Sequence, residues 1–152
     1  MPIHAEKRKL PFSPEQMFDL VADVEAYPQF LPWCVASRIK SRHKNNGSDG
    51  VTADMVIGYK MFRERFTSVA RFDRTHLRID VEYREGPFKY LNNHWIFAPD
   101  GKSGCTIDFY VDFEFRSRLL EKAITVVFNK AAQRMVAAFE TRARALYGVG
   151  KG

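Results

Sequence analysis

The sequence predicts an α+β fold in which a curved antiparallel sheet of about seven strands surrounds one long C-terminal helix. Between residues 35 and 115, segments of alternating apolar and polar residues follow one another, and turn-forming residues such as Pro99, Asp100 and Gly101 separate them. From residue 117 to residue 147 no proline or glycine interrupts a helical apolar pattern. Strands joined by short turns make a meander whose apolar face needs a cover, and the helix provides it.

The N-terminal residues predict an edge strand followed by a short helix. Ile3–Leu10 carries enough charge to discourage pairing with another chain. The helix start is signalled by Ser13 as N-cap, Pro14 in the first helical position and Gln16 closing a capping box. Pro28 prevents the helical pattern from continuing, so the helix is short.

The strands that follow place their apolar residues on one face, because alternate side chains of a strand point the same way. These inward positions are Val35 and Ile39; Val51, Ala53, Met55 and Ile57; Phe66, Ala70 and Phe72; Leu77, Ile79 and Val81; Leu91, Trp95 and Phe97; and Cys105, Ile107, Phe109, Val111, Phe113 and Phe115. We expect turns at residues 45–50, 73–76, 85–87 and 99–101.

The C-terminal helix is predicted over residues 117–147, with Gly148 as its stop, and has a length of about 46 Å. Its apolar stripe consists of Leu120, Ile124, Val127, Phe128, Ala131, Met135, Ala138 and Phe139. Small residues on this helix and in the sheet, such as Ala131 and Ala53, favour an apolar tunnel between the two layers. A tightly packed core without a cavity is the alternative.

The segment Tyr27-Pro28-Gln29-Phe30-Leu31-Pro32-Trp33-Cys34 sets large apolar side chains on a connection that its prolines keep out of regular helix or strand. Such side chains need apolar surface to cover. One interpretation is that the loop plugs one end of the core. A second, compatible with the first, is that it forms a lid over an apolar ligand cavity.

Length and composition predict a single domain spanning residues 1–152, since 45% hydrophobic content is enough to build a substantial core. Cys34 and Cys105 lie far apart and no secretory signal precedes them, so we expect free thiols in a reducing cytosol. No apolar run approaches the roughly 18 residues that cross a bilayer. Any membrane role is therefore expected to be peripheral, at the inner face of the membrane.

The formal charge of +6 favours an anionic partner. Basic residues fall on two faces, one on a strand and one on the final helix: Arg38, Lys40 and Arg42, and Lys122, Lys130 and Arg134. Anionic lipid headgroups and the ribosome both suit such surfaces, and a plain solvated surface is the alternative. Exposed aromatic residues do not alternate with these charges, which disfavours sequence-specific nucleic-acid recognition.

The sequence offers no arrangement typical of catalysis or metal binding. The histidines His4, His43, His76 and His94 are scattered, the cysteines form no metal-ligand spacing, and no glycine-rich phosphate loop is present. We therefore expect no catalytic residues and no metal. The few polar residues expected to face inward suit the orientation of a carbonyl-bearing head group, and they are Ser37, Tyr59, Ser68, Tyr83 and Asn93. The alternative is that each of them satisfies a neighbouring backbone group.

The segment from Tyr27 to Cys34 resembles the signature of the coenzyme Q-binding proteins, START-like members of the polyketide cyclase superfamily with a helix-grip fold. Four further motifs fit this resemblance: Gly86-Pro87-Phe88-Lys89-Tyr90-Leu91, Trp95-Ile96-Phe97, Asp112-Phe113-Glu114-Phe115 and Phe139-x-x-Arg142. The same positions are similar to those of the RatA-type ribosome-association toxins.

The resemblance implies a protein that binds ubiquinone or a related polyprenyl lipid and delivers it for respiratory electron transfer, without chemical turnover or a catalytic cofactor. A ribosome-associating toxin that blocks subunit association is the alternative, followed by a polyketide cyclase-like enzyme. The expected cavity and lid residues are Phe30, Leu31, Pro32, Trp33, Met55, Ile57, Phe88, Leu91, Asn93, Trp95, Val111, Phe113, Ile124, Val127, Phe128, Ala131 and Met135.

Overall fold

The structure, a computed structural model, describes residues 3–45, 48–59, 62–101 and 103–148. In chain order the elements are β1 (Ile3–Leu10), α1 (Pro14–Ala22), a 3₁₀ helix (Val24–Gln29), β2 (Cys34–Asn45), β3 (Ser48–Tyr59), β4 (Phe62–Asp73), β5 (Arg78–Glu85), β6 (Phe88–Asp100), β7 (Gly104–Phe115) and α2 (Arg118–Tyr147).

The strands form one antiparallel sheet in the order β1-β7-β6-β5-β4-β3-β2. Consecutive strands pair from β2 to β7, while β1 returns to pair with β7 in a register that sets Ile3 opposite Asp112. The predicted α+β fold, with seven strands and a long C-terminal helix, is confirmed. Both helices pack on the apolar face of the sheet, as the ring contacts Phe18 to Phe97 at 5.9 Å and Phe139 to Trp95 at 5.0 Å show.

The start of α1 has the predicted capping box. The backbone amide of Gln16 donates to Ser13 Oγ over 3.1 Å, and the backbone amide of Ser13 donates to Gln16 Oε1 over 3.0 Å. The helix buries Met17, Phe18 and Val21 completely or nearly so. Tyr147 at the end of α2 donates its hydroxyl to the carbonyl of Gln16, which joins the two helices.

The prediction that the prolines keep the segment 27–34 out of helix and strand is wrong at both ends, because residues 27–29 lie inside the 3₁₀ helix and Cys34 begins β2. A helix this short loses little when one proline lacks its amide donor. The carbonyl of Tyr27 instead accepts from the amides of Phe30 and Leu31, at 3.1 Å and 2.8 Å. The Tyr27 hydroxyl donates a short hydrogen bond to the carbonyl of Val21, which ties this turn to α1.

Three details of the strands differ from the predictions. Val35 was expected to face inward, but a register shift between Cys34 and Ala36 turns it outward, where it is exposed. Leu77 precedes β5 and lies in the turn with a φ of 51°. The expected loop at 45–50 is shorter, since β2 runs to residue 45 and β3 starts at residue 48; residues 46–47 are outside the described part of the chain.

Helix α2 divides into two halves with different surroundings. Its start is capped by Ser117, whose Oγ accepts from the amide of Leu120, and its end by Gly148. In the second half, Glu140 pairs with Arg8 of β1 at 3.2 Å. The first half, by contrast, lies over a space between the helix and the sheet.

Candidate ligand-binding cavity

A cavity of about 300 Å³ lies between the inner face of the sheet and the first half of α2. Every residue expected to form the cavity or its lid lines this space, apart from Phe30. Those lining residues are Leu31, Pro32, Trp33, Met55, Ile57, Phe88, Leu91, Asn93, Trp95, Val111, Phe113, Ile124, Val127, Phe128, Ala131 and Met135.

Phe30 lies outside the cavity and anchors the loop instead. Its ring packs against Phe139 of α2 at 5.2 Å and against Tyr27 at 6.0 Å, and the guanidinium of Arg142 covers it at 5.3 Å. Arg142 also donates from Nη2 to Gln29 Oε1 over 2.9 Å. The 3₁₀ turn directs the Phe30 side chain toward the second half of α2, whereas Tyr27 before it and Leu31 after it both line the cavity.

The cavity also has lining residues that were not predicted. They are Val21, Val24, Tyr27, Cys34, Ala53, Gly58, Phe62, Glu64, Phe66, Ser68, Ala70, Phe72, Ile79, Val81, Phe109, Phe115, Leu120, Ala132 and Phe139. Ten apolar residues among these nineteen already lay on the predicted inner face of the sheet or on the predicted apolar stripe of α2, so hydrophobic periodicity was sufficient to find about half of them. The sequence did not predict that Val21 and Val24 line the cavity. Helical spacing identifies the buried face of α1, but it does not show which part of the protein lies against that face.

Burial shows that the space beneath α2 is unfilled. Met55, Ile57 and Ala131 face it and remain only half-buried, whereas Val136 of α2, which does not line the cavity, is buried. A close-packed core would leave few such apolar side chains in contact with empty volume. In this region the structure has open space between the sheet and α2.

The loop reaches the cavity through Trp33, which has a φ of 67° in the left-handed region. Residues with a Cβ adopt this conformation at an energetic cost. The Trp33 carbonyl accepts a hydrogen bond from the amide of Gly58 over 2.8 Å, which fixes the loop to the end of β3. Trp33 and Gly58 thus lie side by side on the cavity wall.

Polar groups are few on the cavity wall. Asn93 donates from Nδ2 to the backbone carbonyl of Tyr110 over 2.8 Å, which leaves its Oδ1 without a partner among the described residues. The side chains of Ser68 and Glu64 likewise have no hydrogen-bond partner among them. A ligand with a polar head and a long apolar body suits such a wall.

The thiol of Cys34 lies on the cavity wall, and burial raises its pKa to about 11. The thiol is therefore protonated at neutral pH and is a poor nucleophile. No histidine lines the cavity. Within the described residues, no group of three or more His, Cys, Asp or Glu side chains is placed to hold a metal ion.

The two predicted basic faces differ in their surroundings. On β2, Arg38 and Lys40 each lie 4.0 Å from Asp54, and Arg42 is exposed. On α2, Lys122, Lys130 and Arg134 are exposed, and none pairs with an acidic side chain among the described residues. No described helix is long and apolar enough to span a bilayer.

The family described as polyketide cyclase / dehydrase and lipid transport matches residues 10–140. Ribosome association toxin RatA of Rickettsia prowazekii is 38% identical over 138 residues, which cover 89% of this chain and 91% of that protein. The mitochondrial coenzyme Q-binding protein COQ10 homolog B of Xenopus laevis is 39% identical over 150 residues, 95% of this chain and 59% of that protein.

Among solved structures, an 18 kDa protein from Caulobacter crescentus is 37% identical with a TM-score of 0.80, and the match covers 97% of this chain and 99% of that one. Two further structures share the fold. A START superfamily protein from Mycobacterium smegmatis is 16% identical with a TM-score of 0.79, and the match covers 95% of this chain and 98% of that one. A Zhui aromatase/cyclase from a Streptomyces species is 14% identical with a TM-score of 0.80, and the match covers 98% of each chain. The predicted START-like fold is thereby confirmed.

Proposed function

The chain belongs to the polyketide cyclase / dehydrase and lipid transport family, and we propose that it binds ubiquinone or a related polyprenyl lipid in the cavity beneath α2. The observation that carries this proposal is an unfilled cavity whose wall is almost entirely apolar. The coenzyme Q-binding relative supports a quinone as the ligand. In this proposal the cavity holds the polyprenyl tail, and Asn93 is the proposed hydrogen-bond partner of the head group.

The energetics of the cavity favour a long apolar ligand. Burial of apolar surface contributes roughly 25 cal/mol per Å², so a few hundred Å² of lipid tail supplies several kcal/mol before the entropic cost of binding is subtracted. A small polar metabolite would instead leave most of this wall in contact with water. We therefore propose that tail length, more than head group, sets affinity.

We further propose that the protein carries its ligand without transforming it. The lining residues include no histidine, and the Cys34 thiol stays protonated at neutral pH because burial raises its pKa to about 11. General acid–base or nucleophilic chemistry needs a group poised to exchange a proton. Glu64 is the one carboxylate among the described lining residues, and no histidine or thiolate lies with it on the wall to complete a catalytic pair. In this view the protein is cytoplasmic, makes peripheral contact with the inner face of the membrane, and delivers the quinone for respiratory electron transfer.

Intrinsic tryptophan fluorescence can monitor ligand binding, because the two tryptophans of the chain, Trp33 and Trp95, both line the cavity. We expect a long-tailed ubiquinone in detergent micelles to quench their fluorescence saturably, and a short-tailed analogue to bind more weakly. Native mass spectrometry of gently purified protein, followed by organic extraction, identifies the resident ligand. Absence of both saturable quenching and extractable lipid would contradict the proposal.

Ribosome association is a second candidate, because relatives at 33–38% identity carry that function in their name and because α2 presents unpaired cations. Ribosomal RNA is an anionic partner of the required charge. The test is a sucrose gradient in which purified subunits are mixed with the protein under conditions that favour association. Loss of the particle formed by the associated ribosomal subunits, together with no saturable quinone binding, would support the toxin function and contradict the carrier function.

A further inference from the structure

We infer that the outward face of the first half of α2 docks on an anionic lipid bilayer, an inference that rests on the proposed lipid-binding function. This docking face consists of Leu119, Lys122, Val126, Lys130 and Arg134. Positions 122, 126, 130 and 134 are four residues apart, and 119 lies seven before 126. In an α-helix these spacings put all five side chains on one side.

The docking face carries apolar side chains that the fold leaves in water. Val126 is 86% exposed and Leu119 is 71% exposed, among the most exposed large aliphatic residues of the described chain. Scattered exposed apolar residues are ordinary in proteins. These two lie on one stripe of one helix, and cations flank them, which is the arrangement of a helix that lies in a membrane interface.

The charges of the docking face lack local compensation. Residues 118–134 contain four cations and one carboxylate, that of Glu121. The carboxylate of Glu121 is already engaged, since its Oε1 accepts from the backbone amide of Phe115 over 3.0 Å. Lys130 and Arg134 are four residues apart and repel each other. An anionic surface placed against this face relieves that repulsion.

Several cations elsewhere in the protein have a neighbouring side chain that binds them. In the second half of α2, Arg144 pairs with Glu140, and Arg142 is held by Gln29. On β2, Arg38 and Lys40 share Asp54. The unpaired charge of the helix is thus concentrated where the exposed aliphatic residues are.

A lipid surface explains this combination better than RNA does. Phosphate groups of either partner would attract the three cations. Only a bilayer also buries Leu119 and Val126, whose side chains enter the boundary between headgroups and acyl chains. RNA recognition would also use stacking on aromatic side chains, and the docking face contains none.

Docking by this face places the cavity beside the membrane. The same turns of α2 line the cavity through Ile124, Val127 and Ala131 on their inner side. A helix with its side chains is about 10 Å across, so a lipid in the cavity is one helix diameter from the membrane surface.

The experiment is cosedimentation with vesicles of phosphatidylcholine alone or with added phosphatidylglycerol. We expect binding only to the anionic vesicles, weakened by salt. The apolar variant Leu119→Ser/Val126→Ser and the charge variant Lys122→Glu/Lys130→Glu/Arg134→Glu should each lose at least about tenfold in vesicle affinity. The matched control Arg38→Glu/Lys40→Glu, on the β2 face, should bind nearly as well as the unaltered protein.

Each variant is also titrated with detergent-solubilised quinone. Unaltered quinone quenching in the apolar and charge variants would show that docking and cavity binding are separate. The docking inference is overturned if the apolar variant binds anionic vesicles normally, if the β2 control loses as much as the charge variant, or if vesicles fail to bind while ribosomes bind through these cations. Vesicle binding without any quinone binding would instead refute the proposed ligand and leave the docking face intact.

Discussion

At the scale of single residues, Trp33 combines a costly backbone conformation with a place on the cavity wall. Glycine adopts a φ of 67° without strain, so Trp33→Gly removes the ring and relieves the backbone together. We expect a melting temperature close to that of the unaltered protein and a much faster loss of bound quinone, measured by extraction over time. A variant that unfolds would show that Trp33 serves the core alone.

Leu77 provides the control for this substitution. It has a φ of 51° and does not line the cavity, so Leu77→Gly makes the same backbone change elsewhere. We expect ligand retention in Leu77→Gly to equal that of the unaltered protein. Retention that falls in both variants would point to a general loosening of the fold.

The thiols predict a specific response to pH. Burial raises the pKa of Cys34 and of Cys105 from 9.0 to about 11, so the folded protein keeps both protonated where the unfolded chain begins to lose the proton. Their contribution to stability is fully present below pH 9 and is lost as the pH rises toward 11. We expect alkylation of Cys34 to accelerate about tenfold per pH unit up to that range and to slow when the cavity is occupied.

Cys105 is the internal reference for the alkylation experiment. It is 0% exposed, so it should react only when the protein unfolds. A Cys34 reaction rate that levels off near pH 9, or that bound quinone leaves unchanged, would contradict its placement on the cavity wall.

At the scale of elements, the connection from β5 to β6 depends on Gly86. Its φ is 142°, and a Cβ built on it would lie 2.6 Å from the Cβ of Phe66 and 2.9 Å from the carbonyl oxygen of Arg65. We expect Gly86→Ala to cost about 3 kcal/mol or more in the free energy of unfolding, because strand backbone cannot move aside. Gly101→Ala, with a φ of 72° and open space around it, should cost only about 1–2 kcal/mol.

Helix α2 offers a test of the unfilled space. Ala131 lines the cavity and Ala143 is 0% exposed without lining it. Overpacking a full core typically costs about 1–3 kcal/mol, so Ala143→Phe should lower the melting temperature by several degrees. Ala131→Phe should leave the melting temperature nearly unchanged and sharply reduce uptake of a long-tailed quinone. A large drop for Ala131→Phe with unaltered uptake would contradict the cavity.

Hydrophobic periodicity predicted the regular strands and the long helix, but it did not predict the direction of side chains at turns and bulges. The alternation from Cys105 to Phe115 and the uninterrupted helix after Ser117 each correspond to an element of the structure, since burial imposes a regular spacing on them. Phe30 and Val35 were misplaced for the opposite reason. A 3₁₀ turn and a strand bulge change the direction of side chains without leaving a spacing that the sequence shows.

At the scale of the whole molecule, a ligand that enters the cavity should stabilise the fold by mass action. At a free quinone concentration of 100 times Kd, the expected gain is about 2.7 kcal/mol, or roughly 5–10 °C in melting temperature for a domain of this size. Thermal denaturation in matched detergent with and without quinone measures it. Ala131→Phe should show little gain, and an equal gain in that variant would place binding elsewhere.

The pairing of β1 with β7 also bears on how the protein is made. A ribosome completes β7 about 100 residues after β1, on the order of 5–20 s later at typical rates of synthesis. Throughout that interval β1 lacks its pairing strand β7, and α2 does not yet cover the apolar face of β2 to β6. Contacts between distant parts of a chain form slowly in any case. The nascent protein is therefore expected to expose apolar surface and unpaired strand edges for seconds in every round of translation. We expect chaperones to prevent its aggregation during that time.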